Sequence, residues 1–172
     1  FTKLSKLGMK SLILSLKGNG GGYLNAAHQL ADEFLNRNKL IVYTQGLNQP
    51  KSVMESTASG RFETGKLIVL VDEYSASASE IVAGALQDWD RAIIVGRRTF
   101  GKGLVQRQLP LADGSMLRLT TARYYTPTGR SIQKPYKDGV EKYSKELITR
   151  FNHGELLHAD SIHFPDSLRY QT

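Results

Sequence analysis

Near its start the chain has a short apolar stretch, 12–16, that is followed after Lys17 by the glycine-rich segment 18–22. Apolar residues then recur at three- and four-residue spacing over 24–35, and a second apolar stretch covers 40–44. Short apolar stretches bounded by turn residues are typical of strands, and the three- and four-residue spacing is typical of a helix packed on one face. We therefore predict the order strand, glycine turn, helix, strand.

The same order of elements repeats farther along the chain. Residues 66–72 predict a buried strand, residues 77–89 a helix with one apolar stripe, and residues 92–96 another strand. The polar segment 45–65 between the two units is predicted to be an extended excursion or flap. Two β-crossover-β units in succession imply parallel strand pairs with helices packed on the sheet, so we predict an α/β fold.

Beyond the second unit the pattern changes to alternation of apolar and polar residues. Residues 104–109 and 116–125 alternate around the turn Ala112–Ser115, which is typical of a β-hairpin. Residues 140–157 predict a charged surface helix, and the pattern after His158 is weak. The C-terminal part therefore adds a hairpin and a helix to the two crossover units.

The composition is that of an ordinary globular protein, with 40% hydrophobic and 23% charged residues among 172. No apolar stretch reaches the roughly 18 residues needed to span a bilayer. The net charge of +7 is dispersed and no stacking-aromatic motif accompanies it, so we expect no nucleic-acid partner. The absence of cysteine excludes disulfides, thiolate metal sites and a cysteine nucleophile. Since the chain starts with Phe1, we expect it to be a piece of a longer protein.

The glycine run Gly18–Gly22 lies between a predicted strand and a predicted helix, and it has two interpretations. Glycines let the backbone approach a ligand closely, and the N–H groups at a helix start attract negative charge, so the run is suited to an oxyanion or anion site. A tight strand-to-helix turn needs glycine for purely structural reasons. The run alone does not decide between the two.

The serine cluster that follows the strand 66–72 also has two interpretations. Ser77 and Glu80 have the spacing of a capping box, which stabilises a helix start by about 0.5–2 kcal/mol. A serine at a helix start is also well placed to act as a nucleophile, because the neighbouring N–H groups stabilise an oxyanion. The two roles are compatible.

The segment Gly96–Gly103 matches the phosphate-loop pattern of nucleotide-binding proteins up to its last position. Gly103 stands where a phosphate loop has the serine or threonine hydroxyl that binds magnesium. A phosphate loop also opens a helix, whereas the residues after Gly103 alternate and end at Pro110, which predicts a strand. Nucleotide binding is therefore disfavoured, and with no metal-ligand spacing elsewhere we expect no metal or other cofactor.

A serine hydroxyl is a poor nucleophile until a neighbouring base accepts its proton. The histidines are weak candidates, because one lies on the helix after the glycines and the others lie in the polar C-terminal stretch, at His28, His153, His158 and His163. A lysine can replace histidine when burial lowers the pKa of its ammonium group. Lys102 lies between two glycines and close to Phe100 and Leu104, an arrangement that favours close packing.

Together these motifs resemble those of the C-terminal processing peptidases, also called tail-specific proteases. The resemblance rests on the strand and glycines of 12–22, on the serine motif Ser75–Ile81 and on the lysine motif Thr99–Gln106. The three motifs occur in the family's order and spacing, and the resemblance extends over residues 10–135. A joint match of this kind is far more specific than any of its parts.

The resemblance implies a fold similar to the Clp protease–crotonase class. It implies a catalytic core at residues 1–139 and a C-terminal tail at residues 140–172 that is similar to the tails of Bacteroidetes-type members. The family usually has a PDZ domain before this core; these residues contain none, and we expect the chain to begin just after one. Ser15–Lys17 replaces the family's Asp-Leu-Arg, which removes a salt bridge expected near the glycines.

The resemblance also implies a role for each residue of the site. Ser77 is the implied nucleophile, Lys102 the base that accepts its proton, and Gln106 the side chain that orients the lysine amine. The implied oxyanion hole consists of backbone N–H groups, that of Ala78 and that of one of Gly20, Gly21 and Gly22. Among these glycines we favour Gly21.

We therefore expect a serine endopeptidase that hydrolyses peptide bonds near protein C-termini, with protein or peptide substrates. By resemblance, its place is the bacterial periplasm or cell envelope. The competing interpretation is a catalytically incomplete fragment that only binds peptides. The sequence leaves open the substrate's identity, the regulation, and whether the protein is a homo-oligomer.

Overall fold

The structure is a computed structural model, and it describes residues 1–158. The chain divides into two compact units, Phe1–Lys134 and a second unit that begins at Pro135. The strands of the first unit are β1 (Ser11–Ser15), β2 (Leu40–Gly46), β3 (Gln49–Glu55), β4 (Lys66–Val71), β5 (Ile93–Gly96), β6 (Leu104–Pro110) and β7 (Met116–Tyr125). Its helices are α1 (Thr2–Lys6), α2 (Leu24–Asp32) and α3 (Ala78–Asp88).

A three-stranded parallel sheet in the order β1-β4-β5 forms the base of the first unit. Alternate residues of the central strand β4, namely Leu67, Val69 and Val71, are buried with residues of α2 and α3 in one hydrophobic core. On the opposite face Ile13 and Ile93 are exposed. The unit β4-α3-β5 confirms the parallel crossover that the sequence predicts, because β4 and β5 pair in parallel.

The first predicted crossover unit differs from the observed topology. Strand β2 does not join β1 but belongs to a four-stranded antiparallel sheet in the order β3-β2-β7-β6. The parallel neighbour of β1 is β4, with Leu12 opposite Leu67 and Leu14 opposite Val69. The apolar pattern identifies a strand but not its partner, and β2 is paired on both sides, by β3 and by β7.

The segment 45–65 is not simply the extended excursion that its polarity suggests. Residues 49–55 form β3, which pairs antiparallel with β2 after a tight turn. Most residues of β3 are exposed to solvent. A strand with both faces toward water needs no alternation of apolar and polar residues, which is why its sequence resembles a loop.

The predicted hairpin is present, and β6 pairs antiparallel with β7 from Leu104 opposite Arg123 to Pro110 opposite Met116. A strand therefore follows Gly103, as expected, and this contradicts the helix that a phosphate loop requires. The second unit contains α4 (Gly139–Asn152), which confirms the predicted surface helix over a shorter range. No helix within residues 1–158 is long and apolar enough to cross a membrane.

The parallel sheet determines where the candidate motifs lie. The carboxyl ends of parallel strands lie at one edge of a sheet. Strand β1 leads into Gly18–Gly22, which we call the glycine loop; β4 leads into Asp72–Ser77, the serine loop; and β5 leads into Arg97–Gly103, the lysine loop. Motifs far apart in sequence are therefore brought to the same edge.

Candidate active site

Ser77 lies at the N-cap of α3 in an unusual backbone conformation, with φ of 57° and ψ of −114°. For a residue with a side chain, this left-handed region costs about 1–3 kcal/mol and is found mainly at functional sites. The Ser77 N–H donates to Glu80 Oε2 at 2.8 Å, so the predicted pairing of Ser77 with Glu80 at the helix start is present. Ser77 is partly exposed to solvent.

The other serines of the cluster have structural partners. Ser75 is fully buried, and its hydroxyl donates to the Leu16 carbonyl at 2.7 Å. Ser79 is also buried, and its hydroxyl donates to the Asn19 carbonyl at 3.0 Å. Both hydroxyls therefore join the serine motif to the strand end and the glycine loop, and Ser77 is the accessible serine of the three.

The glycine loop lies directly against the nucleophile candidate. Gly21 has a φ of 95°, and a Cβ atom there would lie 2.7 Å from the Ala78 nitrogen and 2.8 Å from the Ser77 Cβ. Only glycine fits this position. The Asn19 carbonyl also accepts from the Ala76 N–H at 3.0 Å, which holds the loop on the serine motif.

The backbone donors expected to form the oxyanion hole differ in their hydrogen bonds. The Ala78 N–H, at the first residue of α3, has no acceptor among residues 1–158, and so is free to bind a ligand. The same holds for the N–H groups of Gly20 and Gly22, whereas the Gly21 N–H donates to Asn19 Oδ1 at 2.9 Å. Which glycine completes the hole stays a prediction.

The Glu80 carboxylate connects the serine loop to the lysine loop. Besides the Ser77 N–H, it accepts from the Thr99 hydroxyl at 2.7 Å, the Gly101 N–H at 2.6 Å and the Lys102 N–H at 2.8 Å. Glu80 is buried, so these bonds are shielded from water. The Glu80 side chain therefore joins the nucleophile's backbone to that of the candidate base, beside the bond from the Phe100 N–H to the Ser75 carbonyl at 3.0 Å.

The other side of the lysine loop is held by residues 132–134. The Gly103 N–H donates to Gln133 Oε1 at 2.9 Å, and the Lys134 N–H donates to the Gly101 carbonyl at 3.0 Å. A Cβ atom on Gly103 would lie 2.4 Å from the Gln133 nitrogen. Glycine is therefore required where a phosphate loop has a hydroxyl residue, and the requirement is one of packing.

The side chains of Lys102 and Gln106 are not arranged as a base beside Ser77 and a side chain that orients it. Lys102 is exposed, contrary to the close packing that its neighbours in sequence suggest, because the backbone of the flanking glycines makes the tight contacts. Among residues 1–158 no hydrogen bond joins it to Ser77 or Gln106. The Gln106 amide donates instead to the Thr120 hydroxyl at 3.4 Å. Their roles stay predictions.

Two residues of the site were missed at the level of sequence. Asp72 follows the buried strand β4 directly, and its carboxylate accepts from the glycine loop; a polar residue at the carboxyl end of a parallel strand is the signal that could have identified it. Gln133 carries no such signal.

Of the histidines, His28 bonds the Glu55 carbonyl, His153 and His158 lie in the second unit, and His163 lies outside the described residues.

We predict that Glu80→Ala lowers the free energy of unfolding by about 3–5 kcal/mol, because it leaves four buried or partly buried donors without an acceptor. Urea denaturation followed by circular dichroism measures the change. The matched control is Glu141→Ala, since Glu141 is exposed and forms an ion pair with Lys145 one helical turn away. Equal midpoints for the two variants would contradict the central position given to Glu80.

The chain is similar in sequence to known peptidases. Residues 1–142 match the model of peptidase family S41. The chain belongs to this family. It is 49% identical over 126 residues to a carboxy-terminal-processing protease of Bartonella bacilliformis, covering 73% of this chain and 29% of that protein. It is 41% identical over 136 residues to the chloroplastic C-terminal processing peptidase of Tetradesmus obliquus, covering 78% and 29%.

Solved S41 structures have the same fold. A photosystem II D1 C-terminal processing protease superposes with a TM-score of 0.73 at 40% identity, covering 77% of this chain and 34% of that one. A putative S41 protease of Bacteroides fragilis gives a TM-score of 0.63 at 17% identity, covering 94% and 46%. The α/β core of this chain is thus of the Clp protease–crotonase type, as expected. The chain spans about 30% of the length of the curated relatives named above.

Proposed function

We propose that this S41 chain is the catalytic core of a serine endopeptidase that cleaves near protein C-termini, with Ser77 as nucleophile. The observation that carries the proposal is the geometry at the start of α3. Ser77 has a strained backbone there, the Ala78 N–H has no acceptor in the part of the chain that the structure describes, and Gly21 lies against both residues. The names of the curated relatives support the same reaction.

In the proposed acylation step, Lys102 as the free amine accepts the Ser77 proton while Oγ bonds the peptide carbonyl carbon. The carbonyl oxygen becomes an oxyanion, which accepts hydrogen bonds from the Ala78 N–H and one glycine N–H. The intermediate then collapses, the peptide C–N bond breaks, and the lysine proton passes to the leaving amine. Water, with the same base, hydrolyses the acyl-enzyme. Gln106 would orient the Lys102 amine.

A cavity beside the candidate oxyanion hole suggests a substrate class. It has a volume of about 150 Å³, and Gly21 and Ala78 are among the residues that line it. Its walls are largely apolar, with contributions from Leu16, Ala26, Ala27, Leu30 and Val82. We infer that it accepts a small or medium apolar side chain next to the cleaved bond, because a charged side chain would lose its hydration there.

We further propose that residues 1–139 form the catalytic core, that residues 140–172 are its tail, and that the protein acts in a bacterial periplasm or cell envelope. The location rests on family resemblance; relatives include bacterial and chloroplastic processing proteases. Fractionation of bacterial cells that express the protein with its native N-terminus tests it, with a cytoplasmic and a periplasmic marker enzyme as references.

The competing function is that of a peptide-binding module without catalysis. The exposed position of Lys102, with no hydrogen bond to Ser77 among the described residues, is the observation that favours it. Peptide binding without hydrolysis would support this alternative.

Reaction with a serine-directed phosphonate separates the two functions. We expect the full-length protein to be labelled once, at Ser77, with mass spectrometry of the digested protein giving the position. Ser75 and Ser79 are buried with their hydroxyls donating to carbonyls, so neither should react. Ser52→Ala, an exposed serine on β3, serves as the control and should label like the unmodified protein. Absence of labelling would argue for the binding module.

A further inference from the structure

The carboxylate of Asp72 is buried at the point where the glycine loop meets the serine loop. It accepts from the Gly18 N–H through both oxygens, at 2.9 Å to Oδ1 and 3.0 Å to Oδ2. Its Oδ1 also accepts from the N–H groups of Tyr74 at 3.0 Å and Ser75 at 3.1 Å. Burial by itself raises the pKa of Asp72, but these donors hold that pKa below its ordinary value. The side chain is therefore an ionised acceptor at neutral pH.

The remaining attachments of the glycine loop differ from one residue to the next. A Cβ atom on Gly18, Gly20 or Gly22 would meet nothing within 4 Å, whereas Gly21 packs closely against Ser77 and Ala78. The loop is held at its start by Asp72 and farther on by the Asn19 carbonyl. The position of its N–H groups relative to Ala78 thus depends on these hydrogen bonds together with the packing of Gly21.

We propose that Asp72 is a positioning residue of the peptidase reaction, holding the glycine loop so that its N–H donor and that of Ala78 converge on the oxyanion. The inference rests on the proposed function. The Ala78 donor is part of α3 and keeps its place without Asp72, whereas the glycine donor moves with Gly18. Since the oxyanion exists only in the transition state and intermediate, loss of convergence lowers kcat and leaves KM nearly unchanged.

The required property of Asp72 is its acceptor oxygen, and charge is secondary. In Asp72→Asn, the amide oxygen can occupy the place of Oδ1 and keep the bonds from Gly18, Tyr74 and Ser75. In Asp72→Ala the N–H groups of Gly18 and Tyr74 lose the carboxylate acceptor, whereas the Ser75 N–H still donates to the backbone carbonyl of residue 72 at 3.0 Å. The pair of variants therefore separates removal of the anchor from removal of the charge.

The experiment measures kcat and KM on a fluorogenic peptide with the full-length protein, and the Ki of a peptide aldehyde of the same sequence. Ser77 adds to the aldehyde carbonyl and forms a hemiacetal whose oxygen occupies the oxyanion hole. For Asp72→Ala we expect kcat to fall about 100-fold and the Ki to rise by a similar factor, as when an oxyanion donor is lost. KM should change less than about 3-fold, and Asp72→Asn should keep kcat within about 5-fold.

The control is Asp113→Ala in the hairpin turn. Within residues 1–158 its carboxylate bonds only Ser115, so kcat and Ki should not change. If Asp72→Ala does not fold, Ser75→Ala takes its place. This variant removes the hydrogen bond from the Ser75 hydroxyl to the Leu16 carbonyl, which joins the serine loop to the end of β1. We expect kcat to fall and the Ki to rise, each by about 5- to 10-fold.

Two results would overturn the inference: unchanged aldehyde affinity in the folded Asp72→Ala or Ser75→Ala variant, or a loss in Asp72→Asn as large as in Asp72→Ala. A rise in KM as large as the fall in kcat would show a general structural role for Asp72. That result would also overturn the inference. Failure of the proposed function looks different, because the unmodified protein would then show no hydrolysis.

Discussion

Lys102→Arg is expected to reduce kcat/KM by about 10³-fold or more, as much as Lys102→Ala, because general base catalysis contributes roughly 10²–10⁴. An arginine guanidinium remains protonated in proteins and so cannot accept the Ser77 proton, although it keeps the positive charge. The variant therefore separates the basic role of the lysine from an electrostatic one. The Lys102 backbone N–H bonded to Glu80 is unaffected by the change, so the loop should keep its place.

The measurement is steady-state hydrolysis of a fluorogenic peptide by the full-length protein. Lys145→Arg is the matched control, since Lys145 is exposed on α4 and its ammonium group pairs with the exposed Glu141. Substantial turnover by Lys102→Arg would show that positive charge suffices at this position. Another group would then have to activate Ser77.

Ser77→Ala is expected to reduce peptide hydrolysis by about 10⁴-fold or more, close to the background rate, because the acyl-enzyme cannot form. The folded structure should be largely unaffected, since the hydrogen bond to Glu80 comes from the Ser77 backbone N–H. Thermal unfolding of the variant checks this. Alanine keeps the Cβ atom, so the contact with Gly21 also stays.

Ser79→Ala is the informative comparison for Ser77→Ala, because it removes a hydroxyl two positions away in the same motif. Its hydroxyl donates to the Asn19 carbonyl and is not the proposed nucleophile, so the loss should be far smaller. A similar loss in both variants would mean that the motif is needed for structure, and the assignment of Ser77 as nucleophile would fail. Phosphonate labelling of Ser77→Ala should be absent.

The site illustrates why some of its residues could be predicted and others not. Ser77 and Lys102 stand out in the sequence, because a serine at a helix start and a lysine between two glycines carry chemistry that few other positions share. Glu80 was predicted only as a cap, since spacing reveals its bond to Ser77 but not its bonds to Thr99 and Gly101. Those bonds depend on where β5 places the lysine loop.

The fold likewise has parts that could be predicted from the sequence and parts that could not. Alternation and three- to four-residue spacing depend only on which side of a strand or helix is buried, so the sequence identified β4, α3, β5 and the hairpin β6-β7. Pairing depends on the competition between all strand edges at once. The transfer of β2 to the antiparallel sheet, and the existence of the exposed strand β3, were therefore not predicted.

The sequence by itself determined the type of fold, the order of its motifs and the residue types able to carry acyl transfer, because these depend on local pattern and side-chain chemistry. Only the tertiary structure decided that Asp72 and Glu80 each hold two loops together. It also decided that Gly21 touches Ser77 and that Gly103 leaves room for Gln133. These are contacts between residues far apart in the chain, and they exist only once the parallel sheet has brought three strand ends to one edge.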